Sequence, residues 1–362
     1  MVKKNKVVII SENRWEYAKG GAELQLHLQK RFLRKHGHHV SHISVGLQRG
    51  SFLRPRSFIS NLLFDECDFF YFIPLIRLLL KVRPSLVIHR DLSSLSFAGL
   101  AYCGFTKTKF VLQIAHEKDY NPKISTFNPF NIFEYFIRRI ILKKATFIAA
   151  QSIDQQETIE RLGVCGEVFV MRNVAVSPVN KYSFHYNNSE NITIAWVANI
   201  KPDKNLAELL EFAKCFDGNK KVKILVIGKN YGDSKTRILL DEISKRFNIE
   251  YLGYLKPEKI DEILLSAKFL CTTSIREGFP NVFLNAWSYG IPVISTGIDP
   301  DGVIINRKLG LCESDLNKLS RSVLDLAENE QTYSQVSRRC IEYVNRFHSK
   351  KNFVVLHELL KG

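Results

Sequence analysis

The sequence predicts an α/β protein with two doubly wound domains, each built on a parallel sheet. Two observations carry this prediction: short β-branched runs alternate with amphipathic stretches from end to end, and one polar stretch without periodicity divides the series. The length of 362 residues fits two domains, because single domains usually span about 100 to 200 residues. We place a Rossmann-like domain at residues 1–176 and another at 190–347, with the carboxyl ends of their strands facing a shared crevice.

Short strands are predicted in both domains, and helical patterns fill the gaps between them. Pro178, Asn187 and Asn188 lie in the polar stretch 177–191, which is therefore the predicted linker. The first domain would hold strands 6–11, 39–45, 85–89, 110–115, 146–151 and 168–172. The second would hold strands 192–198, 222–227, 249–252, 269–273 and 292–295.

Composition excludes several classes of protein. Hydrophobic residues make up 45% and charged residues 24% of the chain, which is ordinary for a folded protein and excludes disorder and a small disulfide scaffold. The 7 cysteines form no CxxC pair, so we expect reduced thiols in a cytoplasmic protein. The longest apolar stretch, 69–82, is interrupted by Pro74, Arg77 and Lys81 and is shorter than the roughly 20 apolar residues of a membrane span.

Basic residues exceed acidic ones, with a formal net charge of +16. Residues 1–180 carry 26 basic and 14 acidic side chains, whereas residues 181–362 carry 26 and 22. Such an excess indicates an anionic partner: nucleic acid, a lipid surface or a phosphorylated substrate. Because the chain has no nucleic-acid recognition motif and no basic stretch interleaved with aromatic residues, we expect no nucleic-acid partner.

Two glycine- and lysine-bearing loops follow predicted strands. Gly20 and Gly21 precede a helical pattern, where the backbone can approach a phosphate and the helix dipole favours negative charge. A plain loop needs glycine as well, and the GxGxxG spacing of dinucleotide-binding loops is missing. Asn199, Lys201 and Lys204 lie in a turn after strand 192–198, where lysines could neutralise a diphosphate or could simply be solvated.

The most informative segment runs from a strand through a tight loop and a helix to the next strand. Pro280 suits the first turn of a helix over 280–289, because its missing N–H costs nothing there. The free amides of that turn could bind an anionic leaving group, and Glu277 lies just before them. Asn281 and Asn285, four residues apart, share one face of this helix. Glu277 could equally be favourable negative charge near a helix N-terminus.

Two further candidates are a histidine and an acidic triplet. His116 follows an apolar strand, where it would point toward a ligand, although a structural hydrogen bond would place a histidine there as well. The triplet Asp299-Pro300-Asp301 resembles a metal-binding DxD motif. Two carboxylates beside Gly302 favour a turn, and no third acidic ligand is evident, so we expect no metal.

These residues resemble a known family. The stretch EGFPNVFLNA at 277–286, followed by YGIPVI at 289–294, is similar to the signature of family 4 retaining glycosyltransferases of GT-B fold, the glycosyl transferases of group 1. The stretch KGGAE at 19–23, the pair Arg172-Asn173 and the stretch 200–205 match the family's other landmarks in the same order. The resemblance therefore spans most of the chain.

The resemblance implies a nucleotide-diphosphate sugar donor bound mainly by the second domain and a glycan or lipid-linked acceptor bound mainly by the first. It implies transfer with retention at the anomeric carbon, in cell-surface polysaccharide or lipopolysaccharide biosynthesis. It implies no cofactor and no metal, because lysine charge and a helix N-terminus would stabilise the departing diphosphate. The segment 348–362 would be a helix packed back on the first domain. The implied catalytic residues are Glu277, His116 and Lys204, and the implied donor-binding residues are Gly20, Gly21, Asn173, Asn199, Lys201, Lys204, Glu277, Gly278, Phe279, Pro280, Asn281 and Asn285.

Three positions depart from the family's pattern. The second glutamate of its motif is Asn285 here, which replaces a charge-assisted hydrogen bond to the ribose, worth about 1–2 kcal/mol, with a neutral one. The family's Gly-Arg pair is Ala198-Asn199, with Lys201 as the nearest substitute charge. Val174 replaces a glycine. A catalytically degenerate subunit that supports an active partner is therefore the alternative function.

The resemblance assigns the basic surplus to the acceptor-binding domain. A basic helix with aromatic neighbours is typical of a peripheral membrane surface, and an ordinary solvated face has the same composition. We therefore expect a cytoplasmic protein, with association to the anionic inner face of the membrane as the hypothesis to test. The candidate contacts are Lys30, Arg31, Arg34, Lys35, Arg49, Arg54, Arg56, Arg138, Arg139, Lys143 and Lys144, beside Phe130, Phe133 and Phe136.

Overall fold

The computed structural model describes residues 5–11, 14–15, 20–44, 71–120, 129–176 and 191–361, without the side chains at positions 94, 118 and 129–134. The chain divides into two compact units, here called unit 1 (Met1–Val174 with Lys350–Gly362) and unit 2 (Ala175–Ser349). Several predicted features lie outside the described residues: most of the linker, Lys19, and the basic residues Arg49, Arg54 and Arg56.

Unit 1 contains a six-stranded parallel sheet in the order β2-β1-β3-β4-β5-β6. Val7, Val8, Ile9 and Ile10 of β1 are completely buried, as expected for a parallel strand covered on both faces. The strands are β1 (Lys6–Ser11), β2 (His39–Ser44), β3 (Leu86–Arg90), β4 (Lys109–Gln113), β5 (Phe147–Ala150) and β6 (Glu167–Val170). The helices before the linker are α1 (Gly21–Lys35), α2 (Phe72–Val82), α3 (Ser94–Thr106), α4 (Pro129–Lys144) and α5 (Ile153–Arg161).

Unit 2 contains a second six-stranded parallel sheet in the order β12-β11-β10-β7-β8-β9. Counted within the unit, this is the order 3-2-1-4-5-6 of the doubly wound fold, and the winding reverses between β7 and β10. The strands are β7 (Ile192–Val197), β8 (Val222–Ile227), β9 (Ile249–Gly253), β10 (Phe269–Thr272), β11 (Val293–Ser295) and β12 (Gly310–Cys312). The helices are α6 (Leu206–Lys214), α7 (Ser234–Ser244), α8 (Pro257–Ser266), α9 (Asn281–Ser288), α10 (Val303–Asn306), α11 (Leu316–Glu328) and α12 (Glu330–Phe347).

The C-terminal segment after unit 2 belongs to unit 1 and ends in the short helix α13 (Val354–Glu358). Phe353, just before this helix, is 1% exposed, and its ring packs edge-on against Phe32 of α1 with centroids 5.8 Å apart. A side chain so deeply buried makes the segment part of the core of unit 1.

The predicted fold class is confirmed, and one strand was not predicted. β12 has only three residues and begins at Gly310, whose φ is 155°. A Cβ at that position would lie 1.9 Å from the carbonyl oxygen of Val293, so only glycine lets the two strands approach. Three residues are too few for a strand pattern to show in the sequence. No described helix is long and apolar enough to cross a membrane.

Candidate functional site

Lys204 and Glu277 form an ion pair at the point where the winding of the unit 2 sheet reverses. Lys204 lies in the turn after β7 and Glu277 in the loop after β10, and these strands are neighbours. The Lys204 ammonium contacts Oε1 of Glu277, and both side chains are mostly buried, at 16% and 14% exposed. Ligands of doubly wound domains bind at the carboxyl ends of the strands where the winding reverses. The structure thus brings together two predicted site residues that are 73 positions apart.

A buried network holds the two loops of this pair together. The Trp196 indole N–H donates to Oγ1 of Thr273 over 3.1 Å, and the Thr273 hydroxyl donates to the Lys204 carbonyl over 2.8 Å. The Ser274 hydroxyl donates to Oε1 of Glu277 over 3.1 Å. Trp196 and Thr273 are each 1% exposed, so water cannot replace these hydrogen bonds. Thr273 and Ser274 were not predicted as site residues, because small hydroxyl side chains at a strand end carry no distinctive pattern.

Helix α9 differs from the prediction at its start. We expected Pro280 in the first helical turn, and this was wrong: Pro280 is extended, with φ −64° and ψ 124°, and the helix begins at Asn281. A proline can precede a helix because the N-cap has non-helical dihedral angles. The Phe283 N–H of the first turn donates to the Pro280 carbonyl over 3.2 Å, and the binding of an anion by the start of α9 remains a prediction. Gly290 ends the helix with φ 74°, as expected.

The two asparagines of α9 share its partly exposed face. Asn281 and Asn285 are partly exposed, whereas Phe283, Leu284 and Trp287 on the opposite side belong to the core of unit 2. The predicted shared face is therefore confirmed. Phe279 and Gly278 are buried, and the Phe279 ring packs against His348 with centroids 4.9 Å apart. Any ligand contact from Phe279 would therefore come from its backbone amide.

A second group of cations lies where the loops after β7 and β8 meet. The Ile200 N–H donates to the Lys229 carbonyl over 2.9 Å, and the Tyr231 N–H donates to the Ile200 carbonyl over 3.0 Å. The Tyr231 ring, 54% exposed, carries the ammonium groups of Lys229 and Lys201 at 4.8 and 5.8 Å from its centroid. Asn199, at the family's arginine position, is exposed. Lys229 was not predicted as a site residue, and only the order of the strands could have pointed to it.

Glycine permits the close approach of these two loops. Gly228 has φ 154°, and a Cβ on it would lie 1.7 Å from the Ala198 carbonyl oxygen. A larger residue would therefore push the loop after β8, with Lys229, away from the loop after β7. Cys271 of β10 is not a nucleophile in this setting, because burial, with the Glu208 carboxylate adding to it, raises the pKa of its thiol.

The predicted site residues of unit 1 lie at the carboxyl edge of its own sheet. Gly20 is the extended N-cap of α1, and Gly21 is the first residue of that helix. The Glu23 carboxylate folds back over Gly20, so close that a Cβ there would lie 2.2 Å from its Oε2. Asn173 is 3% exposed and donates to Oε1 of Gln151 over 2.9 Å. Its amide is therefore part of a buried polar network, and its donor contact remains a prediction.

His116 lies three residues beyond the end of β4 and is exposed. Asp119, which is 2% exposed, fixes its backbone: Oδ2 accepts the N–H groups of Ala115 and His116, each over 2.9 Å. Asp119 was not predicted as a site residue. An acidic residue three positions after the histidine is the signal that could have identified this local cap.

The acidic triplet is a helix cap. Oδ1 and Oδ2 of Asp299 accept the N–H groups of Ile304 and Ile305, over 2.7 and 3.1 Å, at the start of α10. This agrees with the turn interpretation. Among the described residues no group of three or more His, Cys, Asp or Glu side chains could hold a metal ion.

Solved structures define the class of fold. A sucrose-phosphate synthase from Thermosynechococcus elongatus is 14% identical over 99% of this chain and 98% of its own, with a TM-score of 0.74. WaaG, a glycosyltransferase involved in lipopolysaccharide biosynthesis, is 13% identical over 98% of this chain and 100% of its own, with a TM-score of 0.73. An E. coli structure, trehalose-6-phosphate bound with UDP-2-fluoro glucose, is 10% identical over 98% and 99%, with a TM-score of 0.72. The chain therefore has the GT-B fold.

A family profile matches the second half of the chain. Residues 180–346 match the profile of the family described as glycosyl transferases group 1. Among curated protein sequences none matches this chain. The matched residues lie within unit 2 and contain Lys204 and Glu277. Unit 2 is therefore similar to the group 1 glycosyl transferases, and the resemblance noted in the sequence is confirmed at this level.

Proposed function

We propose that this protein is a retaining glycosyltransferase that moves a sugar from a nucleotide-diphosphate sugar to a glycan or lipid-linked acceptor. The observation that carries the proposal is the Lys204–Glu277 pair, which lies at the reversal of winding in a group 1 glycosyl transferase unit. The likeness to WaaG favours a role in the biosynthesis of cell-surface polysaccharide or lipopolysaccharide. The structure bound with UDP-2-fluoro glucose favours a nucleotide-sugar donor.

Lys204 stabilises the leaving group. Transfer breaks the bond between the anomeric carbon and the diphosphate oxygen, so negative charge develops on the departing nucleotide diphosphate. A fixed ammonium group and the positive end of the α9 helix dipole oppose that charge without a metal. The hydrogen bond from Thr273 to the Lys204 carbonyl keeps the lysine in place before the donor arrives.

Glu277 binds the sugar. Its carboxylate already accepts hydrogen bonds from Ser274 and Lys204, so it presents negative charge in a defined position. Sugar hydroxyl groups donate well to such a carboxylate. The buried backbone of Gly278 and Phe279 follows directly and offers amides rather than side chains to the sugar. Asn285, on the partly exposed face of α9, would hold the ribose as a neutral partner.

Lys229 supplies the charge that Asn199 lacks. The family's arginine would have followed β7. Here Lys201 follows β7 and Lys229 follows the neighbouring strand β8, and both ammonium groups lie over the Tyr231 ring. The loop after β8 is hydrogen-bonded to the loop after β7, so Lys229 is fixed to the turn that carries Lys204. A second cation near a diphosphate contributes electrostatic binding of the same kind as the missing arginine, without its bidentate geometry.

A second candidate function is a degenerate binding subunit that supports an active partner. Asn285 favours it, because the loss of a carboxylate at the ribose position weakens donor binding. The two functions differ in turnover: both bind a nucleotide sugar, and only the enzyme releases nucleotide diphosphate when an acceptor is present.

The test is release of nucleotide diphosphate by the purified chain, with a panel of nucleotide sugars and lipid-linked acceptors. We expect turnover by the wild type and a loss of about a hundredfold or more in Lys204→Ala and Glu277→Gln. Lys259→Ala is the matched control, because Lys259 pairs with Glu262 in an exposed ion pair of α8. Proton NMR of the product should show the anomeric configuration of the donor. Donor binding without turnover supports the degenerate subunit, and full activity of both site variants refutes the residue roles.

A further inference from the structure

His348 lies where the chain leaves unit 2. Unit 2 begins at Ala175 and ends at Ser349, and the Ala175 N–H donates to the His348 carbonyl over 2.9 Å. Helix α12 ends at Phe347, and His348 caps it, because its own N–H donates to the Val344 carbonyl over 2.9 Å. The backbone of His348 therefore joins the first residue of unit 2 to the end of its last helix.

The side chain of His348 closes a cycle of four aromatic rings, here called the ring cluster. Its centroid lies 4.9 Å from that of Phe279 and 5.3 Å from that of Tyr343. The Trp287 ring meets the rings of Phe279 and Tyr343 edge-on, with centroids 6.3 and 5.5 Å away. All four side chains are buried. Since each ring packs against two others, none can move without displacing its neighbours.

The ring cluster fixes one end of the loop that carries Glu277. This loop follows β10 and has no helix or strand of its own, so its shape depends on the contacts of its side chains. Trp287 holds the Phe279 ring from α9, and His348 holds it from the end of α12. Gly278 alone separates Phe279 from Glu277. The position of the Phe279 ring therefore sets where the Glu277 carboxylate and the neighbouring amides lie.

We propose that His348 is a positioning residue for the donor: its ring holds Phe279 so that the loop of Glu277 keeps its donor-binding shape. The inference rests on the proposed function, in which Glu277 and the backbone of Gly278 and Phe279 bind the sugar. A loop that is already ordered loses less conformational entropy when the donor arrives, so its affinity is higher. His348 is 1% exposed, so it acts on the donor through Phe279.

Calorimetric titration with the panel of nucleotide sugars compares the wild type with His348→Leu, which keeps a buried apolar side chain and removes the flat ring. Donor affinity should fall about tenfold, because Phe279 loses its contact with the His348 ring. His348→Phe restores a flat ring and should bind the donor within about twofold of the wild type. In His348→Leu/Phe279→Leu the affinity should stay within about twofold of the weaker single variant, because both substitutions remove the same contact.

Val323→Ala is the matched control for a loss of stability. Val323 is completely buried on α11, which packs against α6, α12 and β12, so its truncation also leaves a cavity in the core of unit 2. The control should lower the Tm of unit 2 and change donor affinity less than about twofold. The proposal is overturned if His348→Leu binds the donor as tightly as this control, or if His348→Phe does not restore the affinity.

Hydrogen–deuterium exchange without a donor separates this inference from the proposed function. The Ile275 N–H, in the loop of Glu277, donates to the Asp203 carbonyl over 2.9 Å, and the Ala175 N–H donates to His348. In His348→Leu both amides should exchange about tenfold faster than in the wild type, and in Val323→Ala less than about twofold faster. If no nucleotide sugar binds the wild type, the proposed function fails, and faster exchange at Ile275 still supports the positioning of the loop by His348. Unchanged exchange at Ile275 overturns that positioning whether or not a donor binds.

Discussion

Replacement of Thr273 by valine tests how unit 2 positions its site. Valine has nearly the shape of threonine, so it leaves no cavity and keeps the β-branched side chain next to β10. The exchange removes one hydroxyl that accepts from the Trp196 indole and donates to the Lys204 carbonyl. The first lost contact joins strand β7 to the loop after β10, and the second joins the turn after β7 to that loop. The variant therefore loosens the Lys204–Glu277 pair without removing either charge.

The magnitude follows from the burial of the groups left behind. Trp196 is 1% exposed, so its indole N–H stays buried without an acceptor, at a cost of about 1–3 kcal/mol. The Lys204 carbonyl loses one hydrogen bond, which adds about 1 kcal/mol. The free energy of unfolding of unit 2 should therefore fall by roughly 2–4 kcal/mol, and its Tm by about 5–12 °C.

Urea unfolding followed by tryptophan fluorescence measures this loss, and calorimetry measures donor affinity, which should fall about fivefold as Lys204 becomes mobile. Thr193→Val is the matched control: its hydroxyl lies on β7 and makes no hydrogen bond to any described residue. The control should stay within about 0.5 kcal/mol of the wild type. A Thr273→Val variant as stable as this control would refute the reasoning.

Three further predictions concern pH and the donor. Burial lowers the pKa of His89 from 6.5 to about 4, so the unfolded state binds more protons between these values. The free energy of unfolding should then fall by roughly 3 kcal/mol from pH 7 to pH 4. Urea unfolding at a series of pH values should show a smaller fall in His89→Gln. An equal fall in wild type and variant would contradict the lowered pKa of His89. Asn285→Glu should tighten donor binding by calorimetry about tenfold, because it restores a charge-assisted hydrogen bond of about 1–2 kcal/mol, and weaker binding would remove Asn285 from the ribose. Lys229→Ala should weaken donor binding about fivefold, whereas Lys229→Arg and the exposed control Lys221→Ala should leave it unchanged. Equal effects of the two alanine variants would contradict a role of Lys229 in donor binding.

The sequence was sufficient for the fold class and for most strands, because buried parallel strands are short apolar runs. It could not show β12, since three residues with a glycine at the start give no pattern. It misplaced Pro280 by one helix position, because the N-cap and the first turn both accept proline and only the dihedral angles separate them.

Some site residues were likewise predicted from the sequence, and others were found only in the structure. Lys204 and Glu277 were predicted, since charged groups after neighbouring strands meet at one edge of a parallel sheet. Thr273, Ser274 and Asp119 were not, because their roles rest on hydrogen bonds between loops or within one turn that residue types alone do not disclose. Polar residues that position the site can therefore be identified only from the structure, whereas the charged site residues can be predicted from the order of the strands.

The central claim is that the Lys204–Glu277 pair is the binding site for a nucleotide-diphosphate sugar. Calorimetric titration of the full chain with UDP-, GDP- and ADP-linked sugars tests it most directly, with Lys204→Ala beside the exposed-pair control Lys259→Ala. We predict that one donor binds the wild type and the control with equal affinity and binds Lys204→Ala about tenfold or more weakly. The claim is contradicted if no donor binds, or if Lys204→Ala binds as tightly as the wild type.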